Sequence, residues 1–179
     1  RVRAIKWFEK NHRDEFDLYG TSWDERTYSK PFGLMNRFKI SRKLFANKYK
    51  SYKGKVVSKQ ATLLKYRYAI CYENARNTPG YITEKIFDCF FAGVIPIYLG
   101  APNISEFVPN NCFIDKRNYK SYKELYDFLE TMSESELRSY LRSIEEFVNS
   151  HEIYPFSAEN FARIIVSITL EGKIASEIK

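Results

Sequence analysis

The sequence predicts an α/β fold with a parallel β-sheet, and two observations support this prediction. Short β-branched and aromatic runs alternate along the chain with longer segments of helical periodicity. Residues 66–100 read as strand, loop, helix and strand, which is the order of a βαβ unit. The chain of 179 residues, with 44% hydrophobic residues, is long enough for one domain with a single sizeable core.

The elements follow in chain order from these patterns. A helix is expected over 1–12 and a short strand over 16–20. The central unit is expected to contain a strand at 68–72, a helix at 82–92 ended by Gly93, and a second strand at 94–99. A short strand at 112–115 and three helices then follow, two of them opened by capping-box pairs. The capping-box pairs are Ser121–Glu124 and Ser133–Glu136. The apolar stripes of the last two helices, which we expect to be core, are that of residues 137–148 and that of Phe161, Ile164, Ile165 and Ile168.

One residue conflicts with this assignment. Pro96 lies within the second strand of the central unit, and proline cannot donate a hydrogen bond within a central ladder. The sequence alone offers no explanation for its position.

The loop and first helical turn of the central unit carry the residues that indicate a ligand site. Asn74 follows the first strand, Tyr81 precedes the helix, and Thr83, Glu84 and Lys85 form its opening turn. A helix N-terminus attracts phosphate, and a lysine there is ordinarily unfavourable, so this lysine suggests a bound anion. Glu84 could accept hydrogen bonds from a sugar or face positive charge on a sugar ring. The alternative is an ordinary capped helix with a solvated Glu-Lys pair.

The string YENARNTPGYITEKIFDCFFAGVIPIYLG closely resembles the α1,3/4-fucosyltransferases of glycosyltransferase family 10. The family signature is matched over a long stretch with nearly the same spacing, although Tyr72 replaces the usual Phe and Ala75 the usual Ser. The matching residues are Glu73, Asn74, Tyr81, Thr83, Glu84, Lys85, Pro96 and Gly100.

This resemblance implies a Rossmann-like, three-layer domain, the C-terminal half of a GT-B glycosyltransferase. Residues 1–179 would then be the GDP-fucose-binding domain of an enzyme that transfers L-fucose from GDP-fucose, with inversion, to a sugar hydroxyl of a glycan acceptor. In the family, the acceptor domain and the general base lie N-terminal to this region. We therefore expect a fucosyltransferase fragment that is catalytically incomplete by itself.

The resemblance also implies roles for individual residues. Lys85 and Arg1 would bind the donor diphosphate, with Arg3 as the alternative to Arg1 and a solvated terminal arginine as the simpler interpretation. Asn74, Tyr81 and Thr83 would help to bind the donor, and Glu84 would bind ribose or act catalytically by stabilising an oxocarbenium-like transition state. The sequence contains no D-x-D motif, so we expect no metal and no cofactor besides the donor substrate.

Positive charge is concentrated between residues 24 and 59. This basic segment has eleven Lys or Arg, two acidic residues and six aromatic residues, giving a net charge of +9 against +7 for the whole chain. It could bind an anionic membrane surface, attract the anionic donor or be a solvated connection. Nucleic acid is the least favoured partner because no RNA- or DNA-binding motif accompanies the charge.

Two other classes of function remain open at this point. One is a glycosyltransferase that uses another GDP-sugar, and the other is a non-enzymatic basic module that binds membrane or RNA. Cys71, Cys89 and Cys112 lack metal-site or disulfide spacing and are expected to be buried thiols. With no signal peptide or membrane-spanning run, we expect a cytoplasmic location, with peripheral contact at the inner membrane.

Overall fold

The structure, a computed structural model, describes residues 1–24 and 49–177. Strands and helices alternate between residues 52 and 99, and three consecutive helices end the described part of the chain, as the sequence predicts. The helices are α1 (Val2–Asn11), α2 (Lys59–Leu63), α3 (Glu84–Phe91), α4 (Tyr122–Thr131), α5 (Glu134–Val148) and α6 (Ala158–Glu177). The strands are β1 (Leu18–Tyr19), β2 (Tyr52–Gly54), β3 (Tyr68–Tyr72), β4 (Ile95–Leu99) and β5 (Ile114–Asp115).

All strand pairs within the described residues are parallel, which confirms the α/β class. Strands β3, β4 and β5 form one sheet in that order, and β1 and β2 form a second, two-stranded sheet. Tyr68 to Tyr72 pair in register with Ile95 to Leu99, and α3 connects the two strands. The expected βαβ unit is therefore present, whereas the expected single sheet is divided into two.

Helices cover both faces of the three-stranded sheet, so the three-layer prediction is also confirmed. Side chains alternate along β3. Tyr68 points to one face and donates a hydrogen bond to the Leu129 carbonyl of α4 at 3.3 Å. Glu73, just past the strand, points to the other face and contacts Thr83 at the start of α3. The carboxyl ends of β3 and β4 therefore lie beside the first turn of α3.

The end of α3 is set by a glycine, as expected. Gly93 has φ +62°, a conformation that costs residues with a Cβ more than it costs glycine. Its N–H donates to Phe90 O at 3.0 Å, and Val94 N–H donates to Cys89 O at 2.9 Å. These two bonds form a Schellman motif. The helix starts two residues later and ends one residue earlier than the sequence predicted.

Register explains why Pro96 is tolerated in β4. Ile95 N–H donates to Arg67 O on the β3 side at 3.0 Å, and successive backbone nitrogens along a strand point to opposite sides. The nitrogen of Pro96 therefore points toward β5. The pairing with β5 begins only at Ile97, opposite Ile114. Pro96 thus stands one residue before the ladder in which an N–H would be needed.

The first two helices after β5, α4 and α5, each begin with a side-chain cap. At α5 the capping box is complete, because Ser133 Oγ accepts from Glu136 N–H and the Glu136 carboxylate accepts from Ser133 N–H. At α4 it is incomplete. Ser121 accepts from Glu124 N–H, but the Glu124 carboxylate accepts from Lys120 N–H, one residue before the cap.

The prediction that the apolar stripe of α6 is core is wrong. Phe161 and Ile168 are 66% and 64% exposed, and Ile164 and Ile165 are about half exposed. In contrast, Leu137, Ile144 and Phe147 of α5 are buried as predicted. Periodicity shows which face of a helix is apolar, but it does not show that another element covers that face.

The three cysteines are free and buried, as predicted. A hydrogen bond with the Cys89 thiol on α3, together with burial, raises the pKa of Cys71. Among the described residues, no cluster of three or more His, Cys, Asp or Glu side chains is placed to hold a metal ion, and no helix is both long and apolar enough to cross a bilayer. Most of the basic segment, residues 25–48, lies outside the described residues.

Candidate functional site

The candidate site lies at the carboxyl ends of β3 and β4, where parallel sheets with helical crossovers bind ligands. The chain leaves β3 through Glu73, whose N–H donates to Leu99 O at 2.9 Å and extends the β3–β4 ladder by one bond. Residues 74–83 then form a loop that leads into α3. The first turn of α3 therefore stands next to the end of β3.

A tight turn shapes the tip of this loop. Tyr81 N–H donates to Thr78 O at 3.2 Å, and Pro79 and Gly80 occupy the two central positions, with Gly80 at φ +70°. Proline followed by a residue with positive φ is the signature of a type II turn. Gly80 N–H also donates to Asn103 Oδ1 at 2.8 Å, so the segment after β4 holds the turn in place.

Arg1 reaches the end of β3 from the start of α1. Its guanidinium donates to Tyr72 O at 2.9 Å and to Asn74 Oδ1 at 2.8 Å. Ala4 and Ile5 of α1 are buried, which fixes the helix and the direction from which Arg1 approaches. Arg3, the alternative to Arg1, is exposed on the same helix.

Lys85 is held at the same strand end by Glu73, the residue before Asn74. Its ammonium donates to Glu73 Oε2 at 3.0 Å and to Thr83 Oγ at 2.7 Å. The Glu73 carboxylate also accepts from Thr83 N–H at 2.9 Å and from the Thr83 hydroxyl at 2.8–2.9 Å. The Glu73 side chain is 0% exposed and that of Lys85 is 22% exposed. The carboxylate is therefore internal, while the Lys85 side chain is partly exposed.

Lys85 places a positive charge at the start of α3. Burial acts to lower the pKa of Lys85, but the hydrogen bond and charge of Glu73 outweigh it, so the pKa lies above its ordinary value. Thr83 is the N-cap residue of α3, yet its side chain makes no capping hydrogen bond to the helix. An ionised lysine thus stands beside a helix N-terminus that lacks a side-chain cap from Thr83.

Glu84 is the most exposed of the predicted site residues in α3. Its side chain is 71% exposed and lies 3.8 Å from the Lys85 ammonium. A hydrogen bond from its own backbone N–H lowers the pKa of Glu84, and the nearby Lys85 acts in the same direction. The carboxylate is therefore ionised near neutral pH and open to a ligand.

The structure thus brings Arg1 to Asn74 and joins Thr83 to Lys85, with Glu84 next to that lysine. Tyr81 lies half-buried in the turn. Nothing in the local sequence pattern indicates that Glu73 holds Lys85 and Thr83, or that Asn103 anchors the loop. The buried position of Glu73 between two polar partners was not readable from local periodicity.

A family model described as "Glycosyltransferase family 10 (fucosyltransferase) C-term" matches residues 18–159. The match covers most of the chain and includes the whole of the central βαβ unit. The chain therefore belongs to glycosyltransferase family 10, the fucosyltransferases, and corresponds to their C-terminal part.

Individual relatives agree with this assignment. The chain is 34% identical over 74 residues to alpha-(1,3)-fucosyltransferase FucT of Helicobacter pylori, which covers 41% of this chain and 15% of that protein. It is 37% identical over 82 residues to alpha-(1,3)-fucosyltransferase 7 of Mus musculus, covering 44% of this chain and 21% of that protein. The chain thus spans less than a quarter of the length of these curated relatives.

A similar solved structure is an alpha1,3-fucosyltransferase crystallised with GDP-fucose. The similarity covers 78% of this chain and 43% of that chain, with 19% sequence identity and a TM-score of 0.47.

Proposed function

We propose that this chain is the donor-binding part of a fucosyltransferase that moves L-fucose from GDP-fucose to a sugar hydroxyl of a glycan, with inversion. The observation that supports this most is the placement of two cations at one strand end. Arg1 is bonded to Asn74 and Lys85 to Glu73, which are consecutive residues after β3. Cations beside a helix N-terminus suit a diphosphate leaving group.

The other site residues have complementary roles in this proposal. Asn74 and Tyr81 position the nucleotide, and Thr83 orders the start of α3. Glu84, exposed and ionised, binds ribose or faces the positive charge that develops on the fucose ring in the transition state. Arg1, Lys85 and the helix dipole together compensate the diphosphate charge, so no divalent metal is required.

The general base lies outside these residues. An inverting transfer needs a group that takes the proton of the acceptor hydroxyl, and the proposal assigns that group to the acceptor-binding region of the full protein. We therefore expect donor binding, without efficient transfer, from this chain alone.

Calorimetric titration tests the proposal directly. The chain should bind GDP and GDP-fucose in the presence of excess chelator, and should bind GDP-mannose and UDP-sugars more weakly. Equal binding of GDP-mannose would favour a transferase that uses another GDP-sugar. Failure to bind any nucleotide, combined with salt-dependent binding to anionic vesicles or RNA, would favour a non-enzymatic basic module.

A further inference from the structure

Glu73 is an internal carboxylate at the candidate site to which no role in binding or catalysis has been assigned. Its side chain is fully buried, and its four hydrogen bonds within the described residues go to Thr83 and Lys85. Gly100 lies so close that a Cβ there would stand 2.6 Å from Glu73 Cγ. The surrounding backbone therefore fixes where this carboxylate sits.

The side chains of Glu73, Thr83 and Lys85 form a closed triangle of hydrogen bonds, and the donor of each bond is fixed by chemistry. An ammonium only donates, a carboxylate only accepts, and a hydroxyl can do both. Lys85 therefore donates to Thr83, Thr83 donates its single proton to Glu73, and Lys85 donates directly to Glu73 as well. Two of the three N–H groups of Lys85 are used within the described residues. The third makes no hydrogen bond within the described residues, and the exposed Glu84 carboxylate lies 3.8 Å from the ammonium.

Stability alone is a poor explanation for this arrangement. Removing a carboxylate and an ammonium from water has a large desolvation cost, and buried ion pairs are often no more stabilising than apolar residues of the same volume. Here only the Glu73 side chain is fully buried, while the Lys85 side chain at the start of α3 is 22% exposed. The geometry suits a carboxylate that orders a lysine for an external anion.

We propose that Glu73 is a positioning residue for donor binding, which holds the ammonium of Lys85 at the start of α3 directly and through the hydroxyl of Thr83. The proposal rests on the function proposed above. A lysine that is ordered before the donor arrives need not lose its side-chain freedom on binding. Removing that order should weaken binding of a diphosphate by about two- to twelvefold, the cost of immobilising one flexible side chain.

The variants must loosen the triangle without changing its charge, because loss of the Glu73 charge would itself strengthen anion binding. Glu73→Asp keeps the charge but retracts the carboxylate by one methylene. Thr83→Val removes only the bridging hydroxyl and retains the side-chain volume. Thr131→Val is the matched control, since the hydroxyl of Thr131 bonds, among the residues that the structure describes, to backbone carbonyls of α4 alone.

The first measurement needs no nucleotide. Competitive acetylation with acetic anhydride, read by mass spectrometry, reports the reactivity of Lys85 relative to Lys123 on α4. Glu73→Asp and Thr83→Val should each raise the relative reactivity of Lys85, because its ammonium is released and its pKa falls toward the ordinary value. Thr131→Val should leave it unchanged. Unaltered reactivity in both site variants would overturn the proposal.

The second measurement compares the affinities for GDP and guanosine by calorimetry. Both site variants should weaken GDP binding by about two- to twelvefold and leave guanosine binding unchanged, and Thr83→Ser should restore most of the loss caused by valine. In a Lys85→Met background neither variant should have a further effect. A loss that persists in that background, or an equal loss for guanosine, would show that Glu73 does not act through Lys85.

The two measurements separate the failure of this inference from failure of the proposed function. If the wild type does not bind GDP, the donor-binding function is refuted, and with it the role of Glu73 toward phosphate. If the wild type binds GDP through Lys85 but both site variants bind it equally well, only the role of Glu73 is refuted. Should Glu73→Asp fail to fold, Thr83→Val, which keeps the ion pair, gives the same answer.

Discussion

Gly100 makes room for Glu73. A Cβ at position 100 would stand 2.6 Å from Glu73 Cγ and 2.4 Å from the hydroxyl oxygen of Tyr98, which is itself fully buried and accepts a hydrogen bond from Ala101 N–H at 3.0 Å. Both neighbours are buried, so a Cβ at position 100 would have to displace them. The glycine at the end of β4 is therefore a steric requirement of the buried carboxylate next to β3.

Gly100→Ala should consequently destabilise the domain and weaken GDP binding. Overpacking a filled interior typically costs about 1–3 kcal/mol, and displacement of Glu73 would release Lys85. Gly93→Ala is the matched control, because a Cβ there meets nothing within 4 Å and only its φ of +62° is unfavourable. Chemical denaturation should show a loss for both variants, and calorimetry should show weaker GDP binding for Gly100→Ala alone. Unchanged GDP affinity in Gly100→Ala would contradict this account.

Lys85→Ala should weaken GDP binding far more than guanosine binding. A hydrogen bond to a charged group contributes about 1.5–3 kcal/mol, which corresponds to about one to two decades in Kd. The control is Lys123→Ala, which removes a lysine from an exposed ion pair with Asp127 on α4. Parallel losses for GDP and guanosine would mean that Lys85 does not contact phosphate.

Arg1→Gln should also weaken GDP binding, while Arg3→Gln should have little effect. Only Arg1 is bonded to Tyr72 O and to Asn74 at the strand end. Glutamine keeps a donor at position 1 but removes the charge, so the expected loss is about tenfold, as for one charged hydrogen bond. Calorimetry on both variants distinguishes the two arginines. A larger effect of Arg3→Gln would assign the phosphate contact to Arg3 instead.

The ion pair between Lys85 and Glu73 predicts that the contribution of Lys85 to the free energy of unfolding is lost at alkaline pH. The folded pKa of Lys85 lies above its ordinary value of 10.5. Its contribution to the free energy of unfolding is therefore fully present below pH 10.5 and is lost as the pH rises through the folded pKa. The difference in unfolding free energy between wild type and Lys85→Met should stay constant from about pH 7 to 10 and shrink above it. A difference that already shrinks between pH 7 and 9 would contradict a raised pKa.

The function of the basic segment 24–59 is proposed from the sequence. We propose that it gives weak peripheral association with an anionic membrane, because each Lys or Arg near such a surface contributes about 1 kcal/mol. Vesicle co-sedimentation should show binding that grows with lipid charge and falls with salt. Binding should be lost when five basic residues become serine, namely Lys39, Arg42, Lys43, Lys48 and Lys50. Indifference to anionic lipid at low salt would exclude the idea, and release of the vesicles by GDP would assign the charge to the donor site.

The sequence predicted those features that depend on residues close together in the chain. The strand at 68–72, the Gly93 stop and the complete capping box at Ser133 all follow from local periodicity and backbone preference, and the structure contains them. The family motif likewise located the loop and the first turn of α3. Such features need no knowledge of which elements pack together.

Features that depend on distant partners were not predictable in this way. The position of Pro96 became intelligible only when the register of β4 against β5 was known. The exposure of Ile168 depends on what packs against α6, and the division into two sheets depends on strand pairing. The role inferred for Glu73 requires three side chains and a glycine to converge from two strands and a helix.

Arg1 also has a consequence for the cooperativity of folding. Its hydrogen bond to Asn74 joins the first residue of the chain to the strand that precedes α3. An anion bound by both Arg1 and Lys85 would cross-link the two ends of an 85-residue stretch. It would act as a reversible cross-link, and the stability that it adds would grow with ligand concentration. Amide hydrogen exchange in α1 should then slow together with exchange in α3 as the anion is added.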